Sequence, residues 1–132
     1  MAVFDASALM RATVQSSASG AAVAAIEAHD AVAPDIIAVE VANALWRYVR
    51  AGEMNTASAM ELLAAALATI EIVPASNSLL TEALRIACDQ RHPVYDCVYV
   101  ALAQRLSTSV VTADLKLAGL ARRLHVPVIL LP

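Results

Sequence analysis

Four acidic residues stand inside or at the ends of otherwise apolar stretches: Asp5 in AVFDAS, Glu40 in IIAVEVANAL, Asp96 in VYDCVYVALA and Asp114 in SVVTAD. A carboxylate held against apolar surface loses hydration, at a cost of several kcal/mol unless it is paired. Local cations do not supply that pairing. Asp5 has no Lys or Arg within five residues, and the nearest to Asp96 are Arg91 and Arg105. If the four acids converge they repel one another, and some must protonate unless a cation lies among them. A divalent ion removes that cost. An all-oxygen ligand set suits Mg²⁺ or Mn²⁺, and no His or Cys pair stands at the spacing that would suit Zn²⁺. An ion so held can activate a water, bind a scissile phosphate and stabilise the leaving oxygen, which is the chemistry of cutting phosphodiesters.

Each acid also has a purely structural reading. Asp5 and Asp114 could be helix caps or first-turn acids, and Ser7, two residues after Asp5, could be a cap as well. Ser7 in D-A-S and Thr112 in T-A-D are equally suited to orienting a carboxylate or a metal-bound water. Glu40 is followed on its helix face by Asn43, Arg47 and Arg50. That stripe reads either as a solvated hydrogen-bonded face or as one metal ligand with a supporting amide and two phosphate-binding cations. Asp96 is hardest to explain as structure. Its neighbours Tyr95, Cys97, Val98, Tyr99 and Val100 leave little polar surface, and the helix macrodipole favours an anion there by only about 0.3–1 kcal/mol.

The elements that must position these residues follow from periodicity. Ala2 to Phe4 is a short apolar run closed by Asp5, as expected of a buried strand. Helical patterns cover Ala6 to Ala12 and Ser17 to His29, and Ala31 to Ala33 is a weak strand before Pro34. Asp35 is placed to cap a helix whose apolar positions Ile37, Val41, Ala44, Leu45 and Tyr48 keep the helical period, with Gly52 ending it. Thr56 to Thr69 forms the returning helix, and Ile70 to Val73 a strand stopped by Pro74. Ser76 or Ser78 can cap a helix through Ala87, and Pro93 opens another whose body, Val94 to Leu106, is apolar nearly all round. Ser109 to Thr112 reads as a strand, Leu115 to Leu124 as a helix and Val126 to Leu130 as a last strand. Short apolar strands alternating with helices imply a single α/β domain over residues 1–132. Its central parallel sheet would have four or five strands, with helices on both faces. In such sheets ligands bind beyond the carboxyl ends of the strands, where Asp5 and Asp114 fall.

Composition narrows the classes. Hydrophobic residues make up 60% and charged residues 16%, which excludes disorder. Mean hydropathy is +0.66, yet no apolar run reaches the ~18–20 residues that span a bilayer. The acid in MAVFDASALMR stands where a secretory signal would carry positive charge, so the expected location is the cytoplasm. Only three glycines occur, which eliminates glycine-rich nucleotide loops. Cys88 and Cys97 lack partners at zinc spacing and are expected to be small buried residues. The net charge of −3 is a weak argument against a nucleic-acid partner. If a metal neutralises four of the 12 acids, nine cations face eight anions.

The ordered set Asp5, Glu40, Asp96 and Asp114, carried by VFDASAL, EVANAL, YDCVYVALA and VVTADLKL, resembles the PIN domain. More narrowly it is similar to the VapC-type ribonuclease toxins of toxin–antitoxin pairs. The resemblance implies a Mg²⁺- or Mn²⁺-dependent endoribonuclease whose catalytic and metal-binding acids are Asp5, Glu40, Asp96 and Asp114, supported by Thr112, Ser7 and Asn43. It also implies an RNA substrate, a homodimer and a cognate antitoxin that covers the active site. Arg11, Arg47, Arg50 and Lys116 are the candidate contacts to RNA phosphate. Some relatives carry a further acid where this chain has Lys116, which leaves open one metal ion or two. Two alternatives stand beside this reading: a catalytically silent PIN-like binding module, and a receiver-like phosphoacceptor, which also gathers acids and Mg²⁺ at strand ends. The latter would want two adjacent acids after the first strand and a lysine after the last, and neither is present.

Overall fold

The computed structural model describes residues 1–132. Five short strands, β1 (Ala2–Phe4), β2 (Ala31–Pro34), β3 (Glu71–Val73), β4 (Ser109–Thr112) and β5 (Val128–Leu130), form one sheet in the order β3-β2-β1-β4-β5. Every pairing is parallel, with Val3 opposite Val32 on one side and Val110 on the other. Seven helices connect and cover it: α1 (Ala6–Thr13), α2 (Ser19–Ala28), α3 (Ile36–Arg50), α4 (Thr56–Leu67), α5 (Asn77–Gln90), α6 (Val94–Leu106) and α7 (Leu115–Arg123).

The central strands lack the polar alternation of a one-sided sheet, being AVF in β1 and SVVT in β4, because both faces of the sheet are covered. In β1, Val3 enters one core while Ala2 and Phe4 enter a second; in β4, Val110 and Val111 divide in the same way. The larger core takes in residues from α3, α4, α5, α6 and α7, and the smaller is closed by Ala22 and Ala25 of α2. Helix α6 packs against β1, β2 and β4, and Cys97 through Ala103 are all buried. Each large aliphatic side chain so buried contributes roughly 1.5–3 kcal/mol, which makes α6 a fixed platform for whatever it carries.

Most expected elements are present, with ends displaced by a few residues. Helix α5 is capped by Ser76, whose side chain accepts from the Leu79 amide, and it runs on to Gln90. Strand β5 starts only at Val128, since Pro127 has no N–H to give the ladder, although its carbonyl accepts from the Val110 amide. Two expectations are corrected. Asp35 makes no side-chain cap to α3; its Oδ1 accepts instead from the Ala75 amide at 3.2 Å, tying the end of β2 to the segment after β3. Cys88 is exposed on α5, outside the apolar face made by Leu79, Ala83 and Ile86, whereas Cys97 is buried as expected. No helix is long and apolar enough to cross a membrane.

Candidate active site

Strand order reverses between β1 and β4. From β1 the chain moves outward through β2 to β3, then returns to lay β4 on the other side of β1 and continues to β5. At such a switch point the connections leave in opposite directions and open a crevice at the carboxyl ends of the two central strands. Asp5 follows β1 directly, while Thr112 ends β4.

Asp5 is only 5% exposed, and every polar group around it points at its carboxylate. Oδ1 accepts from the Ala8 amide at 2.8 Å, which caps α1, so the structural reading of this residue holds alongside any other. Oδ2 accepts from the Thr112 hydroxyl at 2.6 Å. The Ser7 hydroxyl lies 2.7 Å from Oδ1 and 2.9 Å from Oδ2. Both hydroxyls are oriented from behind: Ser7 Oγ accepts from the Ala113 amide and Thr112 Oγ1 from the Asp114 amide, each at 2.9 Å. With a backbone donor fixing each oxygen, the single proton of each hydroxyl is directed to Asp5. Burial nevertheless pushes the Asp5 carboxyl up to about 6, against the opposing pull of Thr112, Ala8 and Ser7, and Asp114 adds a smaller push in the same direction.

Asp114 caps α7 by accepting from the Lys116 amide at 2.8 Å, as its structural reading anticipates. Glu40 arrives from α3. Its Oε1 is buried without a hydrogen-bond partner, and the chain of bonds from Glu40 to Asn43 and Arg47 does not form. Burial raises the Glu40 carboxyl to about 7; the Tyr99 hydroxyl pulls it down, and Asp5 and Asp96 push it further up. Tyr99 is thus near enough to Glu40 to be felt there, although its own buried oxygen makes no well-formed hydrogen bond. Asp96, in the first turn of α6, meets His92: Nε2 stands 2.6 Å from Oδ2. The expectation that Asp96 has no local partner is therefore corrected. Three of the acids act on another of the set, Asp114 on Asp5, and Asp5 and Asp96 on Glu40.

In this conformation no three Asp, Glu, His or Cys side chains are close enough to hold one ion jointly. The donor set still fits a hard divalent cation. It is all oxygen, two of its carboxyls are driven toward protonation by burial and mutual repulsion, and one buried carboxylate oxygen has nothing to bond.

A cleft of about 330 Å³ between α1 and α3 opens onto Ser7 and Glu40, and Asn43, Arg11 and Arg47 line it. Of the expected phosphate contacts, Arg11 and Arg47 are therefore placed at the mouth of the site. Arg11 is also tethered, its Nε donating to the Pro132 carbonyl at 3.1 Å. Arg50 lies over the Trp46 ring at 4.7 Å and does not line the cleft, and Lys116 is exposed on α7. A slightly larger hollow of about 370 Å³, bordered by α1, α2 and α4, is walled mainly by apolar residues such as Val23, Ile26 and Leu62, and it contains none of the four acids. His92 and Tyr99 are the two residues that the motifs did not bring out. Tyr99 had a signal, since it stands three residues after Asp96 on the same helix face; His92 lies just before α6, and the turn into that helix brings it to Asp96.

Comparison with known proteins identifies the family to which this fold belongs. The family model described as the PIN domain matches residues 2–123. Ribonuclease VapC3 of Pyrobaculum aerophilum is 31% identical over 119 residues, covering 88% of this chain and 91% of that protein. Among solved structures, PAE2754 from Pyrobaculum aerophilum superposes with a TM-score of 0.76 at 24% identity, over 96% of this chain and 81% of that one. A chain of a toxin–antitoxin complex from Klebsiella pneumoniae does so with a TM-score of 0.67 at 20% identity, over 88% of each. With Asp5 and Asp114 at the carboxyl ends of the two central strands of a parallel sheet and a family match across almost its full length, this chain belongs to the PIN domain family.

Proposed function

We propose that the protein is a Mg²⁺- or Mn²⁺-dependent endoribonuclease, the toxin of a type II toxin–antitoxin pair. The observation that carries this reading is the half-buried Glu40 carboxylate, whose buried Oε1 is unpartnered and which is raised to about 7 next to Asp5 and Asp96. A structural role would have given that oxygen a donor. Asp5, Glu40, Asp96 and Asp114 would hold the ion, which when bound supplies a water of lowered pKa and neutralises charge on the scissile phosphate. Ser7 and Thr112 keep the Asp5 carboxylate in one orientation through donors that are themselves fixed by backbone amides. Arg47 and Arg11, across the cleft mouth, suit the phosphates flanking the cut.

The name of the Pyrobaculum relative and the toxin–antitoxin complex among the structural neighbours support the ribonuclease and antitoxin parts of the reading. A cytoplasmic site of action, where RNA and a paired antitoxin would meet, is part of the same proposal. A homodimer is supported by Leu80, Leu84 and Cys88, which form an exposed stripe at four-residue spacing along α5. Leu84→Glu is expected to shift the purified protein from dimer to monomer by light scattering; a wild-type chain that is already monomeric would remove that part of the proposal.

PIN membership sets aside the receiver-like alternative. The silent binding module keeps one supporting observation, the lack of three ligating side chains within reach of one ion. The two are separated by incubating the protein, freed of any partner, with RNA and Mn²⁺. Cleavage products are expected that vanish with EDTA and return with excess Mn²⁺. Intact RNA under all three conditions would leave the silent module as the better account.

A further inference from the structure

Tyr99 lies on α6 one helical turn beyond Asp96, and only 1% of it is exposed. Its ring belongs to the larger core, as expected of an aromatic residue in this helix. Its hydroxyl does not fit that role. The oxygen is buried and has no hydrogen-bond partner, a condition that costs about 1–3 kcal/mol and that Phe would avoid. The charged groups that act on it are Glu40 first and Asp5 second, so the hydroxyl faces the acidic site and not the apolar interior. Glu40 Oε1 is the other buried atom in the protein without a partner. One orphan is a donor and the other an acceptor, carried by α6 and α3, and each acts on the other.

We propose that Tyr99 is a positioning residue for the metal site, its hydroxyl donating to Glu40 Oε1, directly or through one water, so that the other oxygen of Glu40 is aimed at the ion. The proposal rests on the metal-dependent reading above. It follows from the chemistry of the two groups: a phenol can donate one hydrogen bond, and a carboxylate whose first oxygen is held by a donor has only its second free to ligate. Asp5 meets the same requirement through Ser7 and Thr112, whereas no backbone amide serves Glu40. Tyr99 is the group available for that task. It acts through Glu40 and touches neither substrate nor ion.

The test is Tyr99→Phe, which keeps the ring and its packing and removes only the oxygen. Mn²⁺ binding to the protein is followed by electron paramagnetic resonance of the free ion, alongside thermal melting in EDTA. A positioning role predicts Mn²⁺ affinity reduced about 10-fold or more, a melting temperature in EDTA no lower than wild type, and kcat that recovers toward wild type when Mn²⁺ is raised. Glu40→Gln supplies the second arm: in that background Tyr99→Phe should add little, because the hydroxyl acts through the carboxylate. Unchanged Mn²⁺ affinity in Tyr99→Phe, or effects that add fully in the double variant, overturns the positioning role while leaving the metal site intact. A wild-type protein that binds no Mn²⁺ overturns both this inference and the reading on which it rests.

Discussion

Asp5→Asn is expected to lower RNA cleavage by at least about 10²-fold at fixed Mn²⁺ while the melting temperature stays the same or rises. The two halves of that outcome come from the same hydrogen bonds. Asparagine is as good an N-cap as aspartate, so its oxygen can keep the Ala8 amide that starts α1. Its amide nitrogen, however, cannot accept from Thr112. That hydroxyl can turn its proton to Ser7 Oγ, already 3.2 Å away, and leave its oxygen to accept from the new amide nitrogen. The substitution also removes a negative charge that burial already drives toward protonation. Catalysis has no such substitute. Loss of an outer hydrogen-bond partner alone costs metal sites about 10–100-fold, and here the ligand itself loses its charge. Initial cleavage rates and calorimetric melting on the same preparation decide the matter. Full activity in Asp5→Asn would contradict a shared metal site, and so would growth arrest that persists when the variant is expressed in cells. A collapsed melting temperature would show instead that the carboxylate is required for folding.

The fold was legible because its signals are short-range and repeated. Alternating apolar runs and helical periods place all five strands and seven helices to within a few residues, and the absence of polar alternation in AVF and SVVT is what both-face burial requires. The four acids were legible for the complementary reason, since each interrupts a pattern that otherwise needs no charge. The partners of those acids were harder to read. Thr112 and Ser7 are visible as hydroxyls near the motif acids, but the closure of Thr112 on Asp5 spans 107 positions and depends on the register of β1 against β4. His92 looked isolated while the distance to Asp96 was counted along an unfolded chain, and α6 brings its Nε2 to 2.6 Å of the carboxylate. Tyr99 passed as a core aromatic, which its ring is; only the three-dimensional neighbourhood shows that its oxygen faces acids. The exposure of Cys88 was missed because a small sulfur side chain carries no mark of which helix face it occupies.

The second large effect expected is on stability, and its sign is the reverse of the usual acid denaturation of salt-bridged carboxylates. In the metal-free protein, burial raises Asp5 from 3.8 to about 6 and Glu40 from 4.5 to about 7. Between these limits the folded chain binds more protons than the unfolded chain, so stability falls as pH rises. For Asp5, only 5% exposed, the difference corresponds to roughly 3 kcal/mol across the interval. Glu40 acts in the same direction; because the two carboxyls repel each other, their contributions do not simply sum. In EDTA the melting temperature should therefore drop by about 10 °C between pH 5 and pH 7.5. Mn²⁺ should reverse the drop at pH 7.5, since a ligand at 100 times its Kd stabilises by about 2.7 kcal/mol. The same concentration should do little at pH 5, where Asp5 and Glu40 hold the protons that an ion must displace. Asp5→Asn separates the two carboxyls: it should lessen the pH slope in EDTA, leaving the part that Glu40 carries, and abolish the Mn²⁺ rescue. A wild-type melting temperature that climbs from pH 5 to pH 7.5 without metal would mean that these carboxylates are already paired in solution. The repulsion that makes room for a cation would then not exist.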